Sequence, residues 1–69
     1  MKVIYDRETD ILDLILSDGV VVESDEIREG IIIDYDKDNR IVSVEILDAS
    51  KRISEPTAIA YELKEAVSH

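Results

Sequence analysis

The chain has 69 residues, 17 Asp plus Glu against 8 Lys plus Arg, a formal charge of −9 and no cysteine. That length makes one domain, residues 1–69, with a core that is marginal when the chain is alone, and the missing cysteines exclude disulfides and thiolate metal sites. The acidic field repels phosphate backbones and so argues against a nucleic-acid partner; no stretch approaches the ~20 apolar residues of a membrane span and no apolar leader follows Met1, which together read as a cytoplasmic protein.

In chain order, Ile- and Val-rich runs separated by charged or Gly-containing breaks predict strands at Lys2–Asp6, Ile11–Ser17, Val20–Ile27, Ile31–Tyr35 and Ile41–Leu47. The breaks are RETD, SDG, REG and KDNR. The stretch DASKRI predicts a short turn over 48–53, capped by Asp48. Only after it does the period change: Ile59, Leu63, Ala66 and Val67 recur at helical spacing, with Ser54 as N-cap and Glu55 and Pro56 in the first turn. This predicts a helix over about 55–67. The fold class expected is α+β: an antiparallel, meander-like sheet of about five strands with the C-terminal helix packed on one face. The segments beginning at Val3 and Ile33 also align at an offset of 30, Tyr5 on Tyr35 and Ile11 on Ile41, so each half reads as a hairpin with a Tyr-Asp entry and a charged tip.

The stretch DYDKDNRIVSVE, Asp34 to Glu45, has the acid spacing of an EF-hand calcium loop. Strand pairing argues for a hairpin instead. If the loop is Asp38-Asn39, Tyr35 lies opposite Val42 and Ile33 opposite Val44; a four-residue loop puts Tyr35 opposite Arg40. Either parity keeps Ile31, Ile33 and Tyr35 on one face with Val42, Val44 and Ile46 and sends Asp34, Asp36 and Glu45 to the other. Residues two apart on a strand are about 7 Å apart, too far for one ion to gather the whole set with oxygens at ~2.4 Å. An EF-hand also needs a helix before the loop, where GIII stands. Asp36 and Asp38 remain as weak candidates for divalent-metal binding at the hairpin tip.

Catalytic chemistry has little to draw on. The one histidine is His69, the last residue, so no Ser-His-Asp or Cys-His arrangement is available. The two glycines, Gly19 and Gly30, stand alone in turns and form no phosphate loop. Asp13, Asp34 and Glu45 fall on one sheet face and are the carboxylates that a hydrolase would use as acid and base, although chance proximity is expected among so many acids. Lys51 and Arg52 read as the finish of a short turn. Tyr5 and Tyr35 pack their rings and leave their hydroxyls at a rim. No cofactor is expected.

The excess is in apolar surface. One face carries Val3, Tyr5, Leu12, Leu14, Leu16, Ile31, Ile33, Val42, Val44 and Ile46; the other still holds Ile4, Ile11, Ile15, Ile32, Ile41 and Leu47. One helix covers about one face, so the other is left to a partner, most simply a second copy in a homodimer. The interface residues expected are Ile4, Ile15, Ile32, Ile41 and Leu47, with Tyr61 on the helix.

The segments YDRETD, DYDKDNRIVSVEI and above all EILDASKR, in that order, resemble the YuzE-like proteins, a family of short uncharacterised proteins of bacteria and archaea. The resemblance runs from Met1 to about Ile53. Arg7 and Asn39 stand where members of that family often have Pro and Gly, which touches turn geometry only. It implies a small β-rich fold with a helical tail and no established activity. Some relatives look as though they are encoded beside small toxin-like proteins, which implies an antitoxin role that the acidic charge would suit. The function expected is a non-enzymatic interaction module that self-associates. An antitoxin-like inhibitor of a small basic toxin is the alternative, and weak divalent-metal binding or a carboxylate-based hydrolase is the alternative from another class.

Overall fold

The computed structural model describes residues 1–66. Five strands form one antiparallel sheet: β1 (Lys2–Asp6), β2 (Ile11–Ile15), β3 (Glu23–Arg28), β4 (Ile31–Tyr35) and β5 (Ile41–Ile46), followed by a four-residue helix α1 (Ala49–Arg52). The spatial order is β1-β2-β5-β4-β3. A β1–β2 hairpin and a β3–β4–β5 meander are thus joined where β2 pairs with β5. The α+β class and the antiparallel sheet follow the sequence reading.

Register sets the two faces, because directly opposed residues point the same way. Val3, Leu14, Val44 and Ile33 form one row across four strands, and Tyr5, Leu12, Ile46 and Ile31 form the next. This is the first face. On the second face Ile15, Ser43, Asp34 and Ser24 make one row, and Ile4, Asp13, Glu45, Ile32 and Glu26 another.

Three strands have other bounds than the sequence reading: β5 ends one residue early, at Ile46, and β2 and β3 differ by more. β2 stops at Ile15 rather than Ser17, because the amides of both Leu16 and Ser17 turn to the Val42 carbonyl, at 2.8 and 3.2 Å. The pairing of β4 with β5 shifts there, from Asp34 opposite Ser43 to Tyr35 opposite Ile41, a bulge at Val42 that neither simple loop anticipates. β3 begins at Glu23 rather than Val20. Its register is counted back from the Glu29-Gly30 turn, and β4 is exhausted at Tyr35 opposite Glu23, so Val20, Val21 and Val22 stay exposed.

Gly30 makes that turn with φ +79, and an added methyl would stand 2.6 Å from the Arg52 guanidinium, which donates from Nε to the Leu47 carbonyl at 2.9 Å. The guanidinium can shift, but the left-handed backbone cannot be relieved. Gly30→Ala is therefore expected to cost about 1 kcal/mol in urea denaturation, since a side chain strains this conformation.

The helix lies inside the stretch read as a turn, not at 55–67. Residues 55–66 hold no helix, Ile59, Tyr61 and Leu63 are 68%, 78% and 70% exposed, and Val67 lies outside the described residues. A helix over 55–67 would only just reach the ~12–15 residues at which an isolated helix is marginal in water, so it needs a surface to pack on. Asp48 takes the N-cap position in the left-handed conformation, φ 50, with no side-chain cap. Capping comes instead from Asp10 at the β1–β2 turn: its carbonyl accepts from Ala49 N at 2.9 Å, and its Oδ1 accepts from Ser50 N at 3.0 Å. α1 thus sits at the end of the sheet, beside the Asp10 and Gly30 turns. Among the described residues the buried apolar ones are few, Leu12, Val42 and Ala49, because no described element forms a second layer.

Candidate functional site

Three strands bring polar groups together in the middle of the second face. Ser24 on β3, Asp34 on β4 and Ser43 on β5 are consecutive neighbours across the sheet. Both hydroxyls donate to the Asp34 carboxylate at 2.5 Å, Ser24 to Oδ1 and Ser43 to Oδ2. Asp34 is only 5% exposed and Ser43 8%. Two residues along β5, Glu45 shares a hydrogen bond with the same carboxylate. Asp13, directly opposite Glu45 on β2, completes the group, with its Oδ1 buried and unpartnered. The structure therefore assembles Asp13, Asp34 and Glu45 as the sequence suggests.

Their environments push two of them apart. Burial raises Asp34, but the hydrogen bonds from Ser24, Ser43 and Glu45 together outweigh it and hold the carboxyl below its ordinary value. Glu45 is raised, first by its hydrogen bond to Asp34, then by burial and by the charges of Asp34 and Asp13. The two shifts run in opposite directions, Asp34 down and Glu45 up, which is the sense in which an acid–base pair divides. The cavity of about 380 Å³ lined by Met1, Val3, Ile59, Ala60 and Tyr61 lies elsewhere, against β1, and not over these carboxylates.

A raised folded-state pKa means that Glu45 contributes stability below its unfolded value of 4.5 and loses it as pH rises through the folded value. Gln at this position donates to Asp34 without ionising. Glu45→Gln is expected to stabilise the chain by about 1 kcal/mol at pH 7, with little change at pH 4, read by urea denaturation at both. Equal stability of the two proteins at pH 7 would mean that no proton is shared there.

The acidic hairpin tip does different work. Asp36 Oδ1 accepts from the amides of Asp38 at 2.8 Å and Arg40 at 2.9 Å, and Arg40 pairs with Asp36 at 3.8 Å and Asp38 at 3.1 Å. The Arg40 amide is the main reason that Asp36 is lowered, opposed by burial and aided by the Asp38 amide. With Asn39 at φ 61, these contacts close a β-hairpin between β4 and β5, where an EF-hand would have helices. Among the described residues, no group of three or more His, Cys, Asp or Glu side chains is placed to hold a metal ion. His69 lies outside the described residues.

Of the interface candidates, Ile4 is 41% exposed, and Ile15 and Ile32 are half-buried with it on the second face. The bulge puts Ile41, 43% exposed, opposite Tyr35 rather than among them. Leu47 is half-buried with its amide on the Gly30 carbonyl, and Tyr61 is exposed. The Tyr5 hydroxyl donates to Asp10 Oδ1 at 2.7 Å, which raises the phenol, and Ser50 Oγ donates to Asp10 Oδ2 at 2.7 Å. Ser50 and then Tyr5 lower Asp10. Sequence reasoning gave Asp10 no role. Its partners lie five and forty residues away, and no local pattern marks them.

The described residues contain no helix long and apolar enough to cross a membrane. No curated protein and no solved structure matches the chain. The family described as "Protein of unknown function (DUF2283)" matches residues 2–50, from the start of β1 to the second residue of α1, and this chain belongs to that family, whose function is unknown.

Proposed function

We propose that this chain is a non-enzymatic interaction module that works as a homodimer, joined through the first face of its sheet. One observation carries the reading: the surface is larger than a lone domain of this size needs. It amounts to 5784 Å², against about 4,400 Å² expected for a compact 7.8 kDa monomer. The surplus of roughly 1,400 Å², which includes the exposed residues 57–66 as well as the sheet, exceeds one partner's share, about 800 Å², of a standard interface. A radius of gyration of 14.2 Å, against about 11 Å for a compact chain of this length, agrees. The first face is the favoured contact because the helix expected to cover it is not formed, and Val3, Leu14, Val44 and Ile33 remain half-buried in one apolar row.

Sedimentation velocity over a concentration series tests this. The expected result is a reversible dimer at micromolar concentration; a monomer at every concentration up to the millimolar range overturns it.

A second reading is favoured by the outer strand. All six residues of β3 are exposed, and they include Glu23, Asp25 and Glu26 along an unpaired sheet edge. A basic extended segment would add to such an edge, with its cations beside the carboxylates. The module then acts as an antitoxin-like inhibitor of a small basic toxin. The YuzE-like character of EILDASKR points the same way. Capture of a small basic protein that weakens with salt is the result expected; capture indifferent to salt overturns it.

A further inference from the structure

We infer that residues 58–66 are an arm that folds into a helix on the first face of a second copy, so that two chains exchange arms. This rests on the dimer reading and names what covers the contact. Ile59, Leu63 and Ala66 have the spacing of one helical stripe, with Glu62, Lys64 and Glu65 between them for the solvent side. In the chain alone that stripe is not helical, and its two large residues are 68% and 70% exposed. The arm has already reached the sheet's rim where Ile59 and Tyr61 line a cavity with Met1 and Val3, because β1 is an outer strand. From that rim onward, residues 62–66 are all exposed and find no cover in their own chain. A nine-residue helix is about 13 Å long, and four strands span about 14 Å from first to last. The arm's length therefore matches the width of the apolar row on β1, β2, β5 and β4. The uncovered stripe and the uncovered row are each other's missing surface, and exchange between copies would join them.

The test uses the full chain and the double variant Ile59→Asp/Leu63→Asp, whose changes fall on exposed positions. Sedimentation equilibrium and far-UV circular dichroism are recorded over one concentration series. The expected result is a dimer whose helical signal rises with concentration, and a variant with unchanged sheet signal, no helical rise and dimer affinity about a hundredfold weaker. A wild-type dimer that gains no helix, or a variant that dimerises as tightly as the wild type, overturns the arm and leaves the dimer reading standing. A wild-type chain that stays monomeric overturns both.

Discussion

Asp34→Ala is expected to remove about 3 kcal/mol of folding stability, the largest effect of a single substitution on the second face. The alanine leaves the Ser43 hydroxyl buried without its acceptor and releases Ser24 and Glu45 from theirs. A domain of this size holds on the order of 3–10 kcal/mol in all, so the loss takes a large share of it. Urea denaturation followed by circular dichroism measures the effect, and a loss below about 1 kcal/mol would mean that the carboxylate contributes no more than an ordinary surface acid. The acid limb gives a second readout. Because Asp34 is lowered in the folded state, its contribution is present above its unfolded value of 3.8 and is lost as pH falls through the folded value. The wild-type chain should therefore lose stability on acidification below about pH 3.8, and the alanine variant should lose less.

In the proposed dimer, Ile33→Lys is expected to weaken the association by about a hundredfold or more, because it sets a charge in the middle of the apolar row on both copies. The fold should tolerate it. Ile33 stands between Val44 and Asp25, so the lysine stem lies along Val44 and its ammonium reaches the carboxylate on the outer strand. Sedimentation should show a monomer with an unchanged sheet signal. An unchanged dimer would move the contact to the second face, where Ile4, Ile15 and Ile32 lie. Ile32→Lys on that face is the matching control and should leave the dimer intact.

These two predictions address opposite faces of one layer, and the sheet's economy explains the division of labour. A sheet with no second layer cannot seal both faces with its own residues. The second face closes its centre with small and polar groups that satisfy one another, Ser24, Asp34 and Ser43. Across β1, β2, β5 and β4 the first face is mostly hydrocarbon, and hydrocarbon is satisfied by contact with another surface.

Much of this was legible in the sequence, for a local reason. Strand character follows from period-2 runs of Ile and Val, and turn positions follow from RETD, REG and KDNR, whose residues tolerate the required backbone. Face parity followed too: Ile31 and Ile33 with Val44 and Ile46, and Asp13, Asp34 and Glu45 together behind them, because a side chain's face depends only on counting by two. The hairpin at Asp36–Asn39 was separable from a calcium loop on the same grounds.

What the tertiary structure alone decided is what depends on distant partners. The pairing of β2 with β5, across the whole β3–β4 hairpin, is chosen by fit between strands and leaves no local mark. The bulge at Val42 falls where one carbonyl receives the amides of both Leu16 and Ser17. The capping of α1 by Asp10 brings together residues forty apart, so DASKRI becomes a helix held by another turn. The stripe of Ile59, Leu63 and Ala66 shows the limit from the other side: periodicity records a capacity for helix, and a segment this short realises it only where a surface receives it. The sequence by itself thus determined the strands, their faces and the polar centre; tertiary contact decided which edges meet, where the helix forms and which apolar face is left uncovered.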